Sequence, residues 1–308
     1  MENKENFVIL DSNSIIHRAF HALPPLKTKD GEVVNAVYGF LLVLFKLLKE
    51  LKPKYFVACF DVPEPTFRKK AFEEYKAHRK KAPDELYAQI PMVKKVLKGF
   101  NVPVYEKAGY EGDDLIGTLC NSSTKGKNQD GVQNIVVSGD MDNLQLIDED
   151  TVVYYLNKGV KNSLIFDVKA IKEKYDGLEP KQLIDLKGLR GDASDNIPGV
   201  KGIGEKTALT LIKEFGSIEN LYKNLDKAEI SASVKEKLIA GKEKAVLSRD
   251  LAEIRKDVPV EINMKDCECG GYDEKEVVAM LQEFGFNSLI KNIIPEKENN
   301  VGQNLKLW

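Results

Sequence analysis

Three carboxylates crowd into four residues at Glu111, Asp113 and Asp114, just where the chain enters an apolar helical pattern (GYEGDDLIGTL). Acidic residues in the first turn of a helix are favoured by the helix dipole and can cap it, but one or two meet that need. Two carboxylates about 4 Å apart repel by about 1 kcal/mol in water and about 4 kcal/mol at the effective dielectric of a protein surface, so a third needs a further reason. A metal cation would supply one. More acids follow short apolar runs: Asp11 after FVIL, Asp61 after YFVACF, Asp140 and Asp142 after NIVVS, with Asp192 and Asp195 in GDASDN. A lone Asp after a strand is usually a turn or helix cap, yet independent caps have no reason to recur after strand upon strand. Carboxylate oxygens without His or Cys select hard cations such as Mg²⁺ or Mn²⁺. Two such ions about 4 Å apart generate a hydroxide and stabilise the attacking and leaving oxygens of phosphodiester cleavage.

The elements that must position these acids read as an α/β sheet covered by helices. Strands are expected at 7–10, 55–60, 102–105, 134–138 and 151–156, and helices at 36–50, 84–99 and 111–121. The polar stretch 121–131 reads as a surface loop. In open parallel sheets ligands bind at the carboxyl ends of the strands, so the acids should converge on one rim. After about residue 178 the strand signals fade and the pattern is mostly helical, with a long helix over 231–254 and a short one over 274–285.

Two further stretches suggest a polyanionic partner. Arg68 to Lys81 carries seven Lys or Arg against two Glu. Such a run is commonly a solvated helix face, but against a nearly neutral background it is also a candidate funnel for single-stranded DNA, with Phe72 and Tyr75 able to stack on bases. Asp195 to Ile212 places Gly199, Gly202 and Gly204 between apolar segments, with Lys201 and Lys206 beside them. Glycines allow close backbone approach and a helix start offers free N–H groups to phosphate. A helix-hairpin-helix grip on a DNA backbone fits this pattern; a plain interhelical turn is the bland alternative. His17 and His21 lie near Asp11 in sequence and read equally as DNA contacts or as packing.

The bulk properties exclude other classes. The chain has 308 residues, a net charge of -2 and 43% hydrophobic residues, and no apolar run approaches the roughly 20 residues of a membrane span. The N-terminal MENKENFVIL lacks a secretory pattern, which points to the cytoplasm. Four scattered cysteines make no disulfide framework, and the Cys267–Cys269 pair lacks a second pair to complete a zinc site.

Taken together, LDSNSIIHRAFHALPPL, NAVYGF, FD followed by PTFR, YKAHR, GYEGDD, GDMDNLQL and GDASDNIPGVKGIGEKTA resemble the 5'-3' exonuclease domain of bacterial DNA polymerase I, within the flap endonuclease superfamily, over about residues 7–291. The resemblance implies a PIN-like, mostly parallel α/β domain over 1–178 with a basic helical arch at about 64–95. It also implies a mostly helical DNA-binding region with a helix-hairpin-helix over 179–291, and leaves 292–308 as a flexible tail, Trp308 included. It carries metal-ligand roles to Asp11, Asp61, Glu111, Asp113, Asp114, Asp140, Asp142, Asp192 and Asp195, with two or more Mg²⁺ or Mn²⁺ ions. Lys76 and Arg79 would reach the scissile phosphate, and Tyr75 would stack on a base. Arg68 would join the DNA contacts of the arch, while Gly199, Lys201, Gly202, Gly204 and Lys206 would hold DNA at the hairpin, where a K⁺ ion sits on backbone carbonyls.

The implied substrates are DNA with 5' flaps or 5' ends and RNA primers on DNA, with a polymerase tethered or recruited to a monomeric nuclease. Two features depart from the family pattern. Met141 stands between the two Asp of GDMDN where a basic residue is usual, and the chain stops soon after LQEFGFNSLIKNI, as a free-standing nuclease or an excised domain would. A non-catalytic DNA-junction module and a PIN-type ribonuclease are the rival readings; the full acidic set speaks against the first and the hairpin against the second.

Overall fold

A computed structural model describes residues 4–124, 131–157 and 163–293. Five parallel strands, β1 (Glu5–Asp11), β2 (Tyr55–Cys59), β3 (Val104–Tyr105), β4 (Val132–Ser138) and β5 (Thr151–Leu156), and an antiparallel edge strand β6 (Ser163–Phe166) form one sheet in the order β3-β2-β1-β4-β5-β6. The FVIL run works because both faces of β1 are covered. By the period of two, Val8 and Leu10 point into one apolar core and Phe7 and Ile9 into another. The first core packs under α1 (Ser12–Ala22), α2 (Asn35–Leu51) and the pair α4 (Asp84–Tyr87) and α5 (Gln89–Gly99), which contribute Ile15, Phe40, Leu86 and Leu97. The basic segment carrying the short α3 (Phe67–Ala71) packs apart from it, with Phe72 and Tyr75 against Ile197 and Leu251. The second packs α6 (Gly112–Thr124) through Leu115 and Leu119.

Beyond the sheet, α7 (Val168–Lys174), α8 (Gln182–Arg190), α9 (Glu205–Phe215), α10 (Ile218–Asn224) and α11 (Ala232–Ala252) continue the second core through Leu189, Leu211 and Leu238. The last helix, α12 (Glu274–Glu283), turns back to the first core with Val277 and Leu281 beside α5. Among the described residues no helix is long and apolar enough to cross a membrane.

Several expected boundaries differ. The strand at 102–105 shrinks to Val104–Tyr105, since Pro103 offers only its carbonyl, which accepts the Ala58 N–H at 3.0 Å. The helix expected at 84–99 is two helices meeting at Ala88, because Pro91 has no N–H for the Tyr87 carbonyl. Of the loop expected over 121–131, the first four residues are helical, since α6 runs on to Thr124 and Ser123 is buried with its hydroxyl donating to Asn134 on β4 at 2.6 Å; 125–130 lie outside the described residues. The helix α1 and the edge strand β6 had no counterpart in the sequence reading. The expected tail lies almost wholly outside the described residues, as does Trp308.

Candidate active site

The strand order reverses between β1 and β4, the place in an open sheet where a crevice forms. Asp11, the last residue of β1, caps α1 by accepting the Ser14 N–H at 3.1 Å and takes the Ser138 hydroxyl, from the end of β4, at 2.5 Å. Asp140 follows β4 and accepts the Asp142 N–H at 2.9 Å, capping a 3₁₀ turn (Met141–Leu146). Asp61, just past β2, accepts the Gly112 N–H at 2.7 Å and so ties the start of α6 to the sheet rim. Glu111 and Asp113 enter from that helix start, Asp113 accepting the Asn143 amide at 2.9 Å. These five carboxylates line one cavity of about 600 Å³. Its other walls are Asn13, Ser14, His17, Arg18 and His21 of α1 and, from the basic segment, Lys76 and Arg79.

Burial and crowding disfavour so many anions. Burial, with the Asp61 and Asp140 charges adding to it, outweighs the bonds from Ser138 and Ser14 and pushes Asp11 up to about 7. Asp113 is driven well above the usual carboxylate range by burial and then by Asp11 and Asp140. Asp142 is raised to about 6, burial outweighing its pairing with Lys187. Burial also lowers the pKa of His17 on the opposite wall, with His21 adding to the effect. An all-oxygen, strongly anionic donor set of this kind fits a hard divalent cation. Among the described residues no three such side chains close on one point as a finished cage.

Several acids pair with cations of the chain instead. Lys76 Nζ lies 2.8 Å from Glu111 and Arg79 lies 2.5 Å from Asp195. Lys187 of α8 bridges Asp142 and Asp192, at 2.6 Å from the latter. Burial of Asp192 is outweighed by its bonds from Lys187 and Ser194, which take it down to about 2. Lys76 itself sits in the left-handed region at φ 56°, its N–H donating to the Asp195 carbonyl at 2.8 Å, so the backbone fixes its ammonium over the acids.

Four expectations need correction. Asp114 does not face the cavity: it is fully buried and meets Arg68 in a two-pronged ion pair, both bonds 2.8 Å. Arg68 therefore makes no DNA contact from this position; its side chain is 3% exposed, and it also donates to the Leu251 and Glu253 carbonyls. Tyr75 is not free to stack on a base, because it is 4% exposed and its hydroxyl donates to Glu111 and Asp195. Gly199 has no N–H to offer phosphate, since that group donates to the buried Ser248 hydroxyl at 2.9 Å. A side chain at 199 would collide with Gly191, at 2.3 Å from its N.

Sequence reasoning also missed residues. Lys187 carries no motif signal, and only the fold brings it to the acids. Met141, at the position where the family usually has a cation, packs toward the second core, while the ammonium beside Asp142 comes from Lys187. Arg18, one residue from the noticed His17, reaches the carbonyls of Asn157 and Gly139 and ties α1 to the ends of β4 and β5.

The hairpin joins α8 to α9. Val200 and Ile203 are buried anchors, and the Ile203 N–H closes a turn onto the Val200 carbonyl at 3.0 Å. Gly202 occupies that turn at φ 81°. Gly204 precedes α9 with no side-chain cap and with open space where a Cβ would stand, which leaves the first N–H groups of α9 uncovered. Lys201, Gly202, Gly204 and Lys206 are all exposed.

An acidic crevice at the carboxyl rim of a parallel sheet, faced by a basic segment and joined to a helical hairpin unit, is the arrangement of a phosphodiester-cleaving nuclease. The chain belongs to the 5'-3' exonuclease family: residues 6–176 match its N-terminal resolvase-like domain and residues 178–275 its C-terminal SAM fold. It is 42% identical over 294 residues to DNA polymerase I of Bacillus subtilis, covering 95% of this chain and 33% of that protein. It is 44% identical over 288 residues to DNA polymerase I of Caldicellulosiruptor bescii, covering 93% of this chain and 33% of that protein. The chain thus spans about a third of the length of these relatives. Among solved structures, the T5 D15 protein co-crystallised with metal ions shares the fold at TM-score 0.67 and 18% identity, covering 94% of this chain and 98% of that one. The catalytic core of Rad2 in complex with DNA substrate does so at TM-score 0.59 and 17% identity, covering 94% and 91%.

Proposed function

We propose that this chain is a divalent-metal-dependent 5'-3' exonuclease and 5'-flap endonuclease that hydrolyses DNA phosphodiester bonds in primer removal and repair. The observation that carries the reading is the single cavity lined by Asp11, Asp61, Glu111, Asp113 and Asp140, with Lys76 and Arg79 on its wall. These five would hold one or more Mg²⁺ or Mn²⁺ ions, and Asp142, Asp192 and Asp195 would extend the set along the rim. When bound, such ions supply a hydroxide nucleophile and stabilise charge on the attacking and leaving oxygens.

The chain's own groups do the rest. Lys76 and Arg79 place positive charge where the scissile phosphate gains negative charge, which acts on the rate more than on binding. The hairpin, with Lys201, Lys206 and the uncovered N–H groups after Gly204, holds the duplex by its backbone without reading bases. Hairpin carbonyls would also take a K⁺ ion, a point tested by comparing duplex affinity in K⁺ and Li⁺ at equal ionic strength. RNA primers on DNA are the natural target under this reading, with a polymerase tethered or recruited and the nuclease acting as a cytoplasmic monomer.

The test is to incubate labelled 5'-flap DNA with the protein in Mg²⁺ or EDTA and map the product ends. Cuts at the flap junction and short 5' products, in Mg²⁺ only, are expected. Binding with no cleavage in any divalent cation would leave a junction-binding module, and cleavage of single-stranded RNA but not flap DNA would leave a ribonuclease.

A further inference from the structure

One face of α11 runs along the hairpin, and each of three residues on it meets a different part of the turn. Ser248 accepts the Gly199 N–H at 2.9 Å. Gly241 lets Val200 approach so closely that a Cβ there would stand 2.7 Å from the Val200 side chain. Lys237, one helical turn before Gly241, lies against Gly202: a Cβ on Gly202 would stand 3.1 Å from Lys237 Cε and 3.3 Å from its Cδ and Nζ. The ammonium reaches 3.5 Å from the Gly202 carbonyl. The stem is thus laid across the outermost part of the turn, while Lys237 itself is exposed. It makes no ion pair among the described residues, whereas Lys235 on the same helix is paired with Asp226 at 3.4 Å.

We infer that Lys237 is a third backbone-gripping cation of the hairpin, acting with Lys201 and Lys206 on the phosphates of duplex DNA from a different helix. The inference rests on the reading that the hairpin carries the duplex. Two features favour a phosphate over a solvated surface lysine. The ammonium is brought to the turn by packing against a glycine at φ 81°, where any other residue would be strained and would push the stem away. It also stands at the same exposed turn as Lys201, so a phosphate docked on the turn meets cations from two elements. A cation held from two sides grips a strand without reading its sequence.

The test is binding of 5'-flap DNA by fluorescence anisotropy in Ca²⁺, over a salt titration, with the melting temperature of each variant measured alongside. Lys237→Ala should reduce the log-log salt slope by roughly 0.9 and weaken binding roughly eightfold at 0.1 M salt, equally for unrelated duplex sequences. Lys237→Arg should restore the slope, and Lys235→Ala should leave it at the parental value. The Lys201→Ala/Lys206→Ala double variant is the reference arm. If it loses slope while Lys237→Ala keeps the parental slope, Lys237 does not touch the backbone and this inference falls alone. If both keep it, the hairpin reading falls too.

Discussion

At the residue scale, the sharpest distinction lies between neighbours. Asp113 and Asp114 are adjacent at the start of α6, so their side chains diverge by about 100° around the helix. One meets the cavity and the other meets Arg68. The Arg68–Asp114 pair is therefore structural, and Arg68→Ala should lower stability by about 3–5 kcal/mol by leaving a buried carboxylate without its partner. Chemical denaturation measures this, with flap binding by the still-folded fraction expected unchanged. Lost binding at unaltered stability would return Arg68 to the DNA.

The buried acids also make a signed prediction about pH. Asp11 is raised from the ordinary 3.8 to about 7 and Asp142 to about 6, so the folded metal-free protein holds more protons than the unfolded chain between about pH 4 and pH 7. Their contribution is present below pH 4 and is lost as pH rises through those values. Asp192, taken down to about 2, has its change below this window. The metal-free protein should thus melt at a lower temperature at pH 8 than at pH 5.5, and Ca²⁺ should raise the melting temperature more at pH 8. A Ca²⁺ effect equal at both pH values would mean that these carboxylates do not bind the ion.

At the element scale, much was legible in sequence because strands buried on both faces leave continuous apolar runs. FVIL, YFVACF and NIVVS marked β1, β2 and β4, and of the acids following them Asp11, Asp61 and Asp140 sit at the cavity. The orientation of side chains in the basic run was not legible. Seven cations in fourteen residues gave no sign that Arg68 turns inward while Lys76 and Arg79 face the acids. That choice is made by Asp114 and by the left-handed backbone at Lys76, both of which depend on distant chain segments.

The hairpin was marked by its glycines, yet Gly199 serves packing against Gly191 whereas Gly202 shapes the exposed turn. Lys76→Ala or Arg79→Ala should cut the single-turnover rate at saturating enzyme by orders of magnitude while changing flap affinity much less. Rapid-quench measurement of labelled flap cleavage checks this, and unchanged rates would remove both residues from the chemistry.

At the scale of the whole molecule, the proposed function assigns two tasks to two regions that share one apolar core. The rim of the sheet gathers the carboxylates, while the hairpin between α8 and α9 presents exposed lysines that do not line their cavity. Lys187 links the two, since it sits on the helix that leads into the hairpin and pairs both with Asp142 on the rim and with Asp192 in the loop after that helix. Such a link would hold the cut site at a fixed distance from the gripped duplex.

The most direct test of this division of labour compares Asp113→Ala and Asp140→Ala with the parent in paired assays of the same protein batch. The assays are single-turnover cleavage of 5'-flap DNA in Mg²⁺ and equilibrium binding of that DNA in EDTA. The account predicts that cleavage is abolished in both variants while affinity stays at or slightly above the parental value, because removing a carboxylate relieves repulsion with phosphate. Parallel loss of affinity and activity in both variants would contradict it.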